Sequence, residues 1–133
     1  MINKIKLKTA GKIFVIMNAI TILVHIGVIT KIIPYTWVNG GRTISYDAAI
    51  GTAVSGIILM IVLSIIILIA SGLIDAKLNN IASRILNILV WIIVALLFVS
   101  LIMQFLGTTF EILFMSIIVI ISLLTSLRVA LEK

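Results

Sequence analysis

Cysteine is absent from the 133 residues, histidine and proline occur once each, and only four side chains are acidic. Without cysteine there are no disulfides, no thiolate metal ligands and no dithiol chemistry of the kind that some small four-helix membrane oxidoreductases couple to quinones. One histidine falls short of the two or three imidazoles of the usual metal site, and neither H-E-x-x-H nor a glycine-rich phosphate loop occurs. No metal and no cofactor is expected. A nucleophilic serine would have only His25 as its base, and no nucleophile elbow surrounds any serine.

What the chain has instead is apolar surface. Hydrophobic residues make up 63% of it, charged residues 11%, and the mean hydropathy is +1.43. A soluble domain of this length has no interior large enough to hide that much hydrocarbon, so the bilayer is its solvent. Four apolar runs, at about 13–33, 48–74, 85–106 and 112–127, are each near the ~20 residues that cross the hydrocarbon core. They consume the chain, which reads as one membrane domain over residues 1–133. The basic opening resembles a secretory signal. Its apolar run is too long for one and lacks a small-residue cleavage site, so it is read as a retained first helix.

Short polar connections after the second and third runs predict an all-α, up-down-up-down four-helix bundle. Lys4, Lys6, Lys8, Lys12, Lys77, Arg84, Arg128 and Lys133 fall on one side of it, and only Lys31 and Arg42 on the other, which places both termini in the cytoplasm. The net charge of +6 is spread over helix ends rather than gathered in one patch, so anionic lipid is the expected counter-charge and nucleic acid is not a partner. The compact, isoleucine-rich chain is assigned to a bacterial plasma membrane.

The first outer connection, Pro34 to Asp47, is the densest run of informative residues. Asn39-Gly40 stands between two β-prone stretches and has the two residues that a type I′ turn favours, which predicts a small β-hairpin. Tyr35, Trp37, Asn39, Gly40, Gly41, Arg42 and Asp47 form a candidate interaction surface. The plainer reading of its aromatic rings, with Tyr46, is an interfacial belt.

Within the runs, Asn18, Thr21 and His25 recur at i, i+3, i+7 on one stripe of the first helix, which must face protein because unpaired polar groups are costly in hydrocarbon. His25 is either a proton-sensitive or ligand-contacting group or a neutral hydrogen-bonding link between helices. At the outer ends Gln104, Glu111, Asp47, Arg42, Lys31 and His25 reach similar depth, a polar vestibule in which Asn18, His25, Gln104 and Glu111 are the candidate ligand site. Asp47 and Glu111 also suit the N-terminal dipoles of helices two and four, and Thr108 or Thr109 suits the N-cap of the latter. Gly51, Thr52, Ser55 and Gly56 make a small-residue patch for helix packing, within the chain or against a second protomer.

In size the chain is similar to the small multidrug exporters. Those carry an acidic residue in the first span, where this one has only Asn18 and His25, and the residues identify no family. The polar inventory favours a non-enzymatic protein acting on another membrane protein or on lipid. A small transporter or ligand-binding protein, dimeric in form, is the alternative, and an intramembrane enzyme on a lipid-like substrate the third.

Overall fold

Every backbone N–H and C=O inside a bilayer needs a partner, and a helix supplies all of them within its own segment. The computed structural model of this protein, which describes residues 5–132, accordingly has four helices long and apolar enough to span a membrane. They are α1 (Leu7–Ile29), α2 (Tyr46–Ala70), α3 (Asn80–Phe105) and α4 (Glu111–Glu132, its first five residues wound as a π-helix).

Local chemistry sets their ends. The Ser45 hydroxyl accepts the amide of Ala48 at 3.2 Å and the Asn79 side chain that of Ala82 at 2.8 Å, capping α2 and α3. α2 stops at Ala70, short of the end of its apolar run, because Gly72 closes a Schellman motif: Leu73 N–H reaches Leu68 C=O and Gly72 N–H reaches Ile69 C=O. α4 instead continues past Leu127, since Arg128 is satisfied in place, its Nε donating to the Ile5 carbonyl at 2.9 Å and its guanidinium pairing with Glu132.

α1 packs along both α2 and α4, and α4 along α3; the side between α2 and α3 is the thinnest of the bundle. Gly11 lies opposite Ser71, Asn18 opposite Met60 and Ser64, and His25 opposite Gly56, so α1 and α2 run antiparallel. The buried interior falls into two apolar clusters. One gathers Phe14, Ile67, Val90, Ile93 and Val129 toward the end that holds the α2–α3 connection; the other gathers Val24, Val28, Val38, Ala49, Met115 and Ile118 toward the opposite end. Outward, exposed residues such as Ile16, Leu23, Ile58, Ile65, Ile88 and Phe98 form the surface that lipid covers.

The expected β-hairpin does not form, and no strand occurs among the described residues. Asn39 and Gly40 do take the left-handed values a type I′ turn needs, φ 55° and 67°, and Gly41 follows at 66°. The flanks, however, are single 3₁₀ turns, Tyr35–Trp37 and Asn39–Gly41. The polar groups that would have paired across a hairpin are drawn to helix ends instead. Gly40 N–H goes to Glu111, Trp37 C=O accepts the Thr108 hydroxyl, and the Asn39 amide donates to Thr52 at 3.1 Å. Tertiary partners outbid the local pairing.

α1 comes close to the C-cap of α2 at Gly11, where a Cβ would come within 2.3 Å of Ser71 Oγ and 2.6 Å of Ser71 Cβ. Gly11→Ala should therefore destabilise the bundle by about 1–3 kcal/mol, the usual cost of overpacking. Adding Ser71→Gly should recover most of the loss, as read by thermal unfolding in detergent micelles.

Candidate functional site

A threonine followed three residues later by a glutamate, ahead of an apolar run, is the pattern of a capping box. Thr108 and Glu111 form one: Glu111 N–H donates to Thr108 Oγ1 at 3.3 Å, and Thr108 N–H donates back to Glu111 Oε2 at 2.8 Å. The Thr108 hydroxyl also lies 3.2 Å from Oε2. What a capping box does not require is the third donor, the Gly40 amide, 2.9 Å from Oε2 and 3.1 Å from Oε1. A buried carboxylate needs charge-assisted hydrogen bonds, and here the α1–α2 loop supplies one from 71 residues away. Only the left-handed turn at Asn39, Gly40 and Gly41 brings that amide down.

Beneath this latch lies a cavity of about 200 Å³ between the two apolar clusters, and Asn18, His25, Gln104 and Glu111 all line it, with Thr21, Ser100 and Ser122 adding hydroxyls. Their hydrogen bonding differs. Asn18 is buried and spends both amide hydrogens on α2, at Met60 C=O (3.1 Å) and Ser64 Oγ (3.0 Å), leaving its carbonyl oxygen without a protein donor among the described residues. Thr21 donates to Met17 C=O, so its oxygen remains an acceptor. Gln104 Oε1 is fully buried with no protein partner. His25 lies over Gly56, where a Cβ would come within 2.5 Å of Nε2, and makes no hydrogen bond to the described residues. Of the two readings of His25, the interhelical link lacks its partner; for Asn18 that link is present.

A second recess of about 230 Å³ lies above, walled by Asn39, Gly40, Arg42, Met103, Gln104 and Glu111. It shares Asn39, Gln104 and Glu111 with the deeper cavity, so the two adjoin under the loop. Arg42 is exposed at its rim and forms no ion pair with Glu111.

The other loop residues stand apart from this site. Asp47 is exposed in the first turn of α2, where it complements the dipole. Tyr35 packs against Tyr46, with ring centroids 6.4 Å apart; the Tyr46 hydroxyl bonds the Ile29 carbonyl, and Lys31 Nζ lies 4.5 Å from the Tyr46 ring centroid. Trp37 begins a ladder with Phe110 and Phe114, at centroid separations of 5.7 and 5.4 Å, beside a lipid-facing groove of about 600 Å³. The small-residue patch divides: Gly56 turns toward α1, together with the buried Ala49 and Ala53, whereas Gly51, Thr52 and Ser55 are exposed. Sequence reasoning did not join the loop to Glu111. The signals for it were the Thr-x-x-Glu spacing and the Asn-Gly-Gly run, which local patterns cannot pair across the chain.

Comparison of the chain with models of protein families, with curated proteins and with solved structures finds no match.

If Glu111 anchors the loop, Glu111→Ala should speed hydrogen exchange of the Gly40 amide by at least about tenfold and lower stability by about 1–3 kcal/mol. Exchange in the middle of α1 should stay unchanged in mass-spectrometric or NMR measurements.

Proposed function

We propose that this chain is a non-enzymatic membrane protein that binds a small polar solute in the cavity under its outer loop, as a carrier or a sensing subunit. The observation that carries the reading is that cavity: seven polar residues from α1, α3 and α4 converge on it in the middle of an apolar bundle, and an intramembrane polar cluster not consumed by its own pairing is a functional site by default. At about 200 Å³ it has room for on the order of seven heavy atoms or waters, at ~30 Å³ each. It is too small for a lipid headgroup with its chains.

The solute enters from outside in this reading. Among the described residues, the end of the bundle that carries the α2–α3 connection holds Lys6, Lys8, Lys12, Lys77, Arg84 and Arg128, and the loop end holds Lys31 and Arg42. The excess of positive charge supports a reading in which the former end is cytoplasmic, in a bacterial cell, and the loop lies at the outer face. The absence of cysteine makes the proposal directly testable. Ser100→Cys and Ser122→Cys, in the cavity wall, should react with a small membrane-impermeant thiol reagent added outside intact cells. Ser126→Cys, fully buried away from the cavity, should not. Equal protection of all three would reject an outward-opening cavity.

A second reading, contact with another membrane helix, is favoured by one specific observation. Gly51 and Ser55 are exposed, and nothing from the rest of the chain comes within 4 Å of a Cβ placed on Gly51, so this small-residue face of α2 is unused inside the monomer. A second copy of the chain is the simplest occupant. Gly51→Leu should then shift the native mass spectrum in mild detergent from dimer to monomer; a monomer in both proteins would dismiss the contact.

A further inference from the structure

The donor and acceptor balance of the two recesses narrows the class of solute, an argument that rests on the binding reading above. In the deeper cavity unspent donors, the Gln104 amide, the Ser100 and Ser122 hydroxyls and the His25 ring, stand beside unspent acceptors, and the one formal charge is negative. The Asn18 carbonyl has no donor, the Thr21 oxygen has already given away its hydrogen, Gln104 Oε1 is buried without a partner, and Glu111 carries the only formal negative charge in the wall. No lysine or arginine lines it. A wall with polar groups of both kinds and one carboxylate favours a cationic group.

The outer recess has the opposite character on its far side. Arg42 crosses Gly40 so closely that a Cβ there would come within 3.2 Å of Arg42 Nε, while the Gly40 amide on the other side is bonded to Glu111. A guanidinium and a carboxylate thus flank one residue of the loop without pairing with each other. An arginine held next to a carboxylate but unpaired presents its fork to an external anion. The two recesses share Gln104 and Glu111 in their walls, which sets a negative group at the boundary with the deeper one and a positive group at the rim of the outer one.

We propose that the solute is a small zwitterion, an amino acid between glycine and serine in size, held with its ammonium group toward Gln104 and Glu111 and its carboxylate toward Arg42. The size follows from the two small volumes, about 200 and 230 Å³, and the polarity from the order of charges across their shared wall. A simple amine would leave Arg42 unused, and a simple carboxylic acid would face the Glu111 carboxylate.

The test is binding to the full-length protein in lipid nanodiscs, by calorimetry, with glycine, L-serine, methylammonium, acetate and urea as probes. Glycine or L-serine should bind at least about tenfold more tightly than methylammonium or acetate, since each of those loses one charge-assisted contact. Arg42→Gln, an exposed position unconnected with the packing, should bring the amino acid down to the level of methylammonium and leave methylammonium unchanged. Gln104→Leu should weaken both. Methylammonium or urea binding as well as glycine, or an Arg42→Gln protein with undiminished glycine affinity, would overturn the zwitterion assignment while leaving the cavity a binding site. Failure of all five probes to bind would overturn the binding reading itself, and the assignment with it.

Discussion

A carboxylate inside a membrane protein must be surrounded by donors, because leaving it unpaired at low dielectric costs several kcal/mol. Glu111 meets that demand with the amides of Thr108 and Gly40. Much of the loop end of the molecule follows. The Thr108 and Glu111 contacts begin α4, the Gly40 contact pulls the first loop over the end of the bundle, and the loop roofs the polar cavity. The π-wound segment Glu111–Met115 begins at the same residue, and local widening of this kind recurs where helices carry functional groups.

The opposite half is built differently. There Phe14, Ile67, Val90 and Val129 close into a dry core, and the helices approach as nearly as Gly11 and Ser71 allow. In a bilayer no hydrophobic force drives helices together, so close packing and a few interhelical hydrogen bonds hold them. Asn18 marks the transition: its bonds to Met60 and Ser64 tie α1 to α2 at the level where the dry core gives way to the cavity. A close-packed end supporting a polar end preorganises the cavity walls.

Much of the fold was legible in the sequence because its signals are local. Length and apolarity announce a span whatever the span packs against. Asn79 and Ser45 cap the helices they precede, and the stripe of Asn18, Thr21 and His25 faces inward because lipid would not tolerate it. The hairpin expectation failed for the converse reason. Asn39 and Gly40 adopted the dihedral angles their identities favour, but strand pairing depends on what else competes for the backbone, and α2 and α4 competed better. The small residues of α2 were read as one surface although they lie on two. A step of 100° per residue sets Gly56 with Ala49 and Ala53 toward α1 and leaves Gly51 and Ser55 outside.

The amino-acid sequence by itself determined that this is a chain of four membrane-length helices, which end bears the positive charge, and that thiol and multi-histidine chemistry are beyond it. Those properties sum over residues and need no knowledge of neighbours. Only the tertiary structure decided that Gly40 and Glu111 meet, that Asn18 is consumed by α2 while His25 and Gln104 are not, and that Arg42 stands at the rim of the same recess. Whether a polar group is spent or available is a property of its partners, and partners 40 to 70 residues apart are chosen by packing.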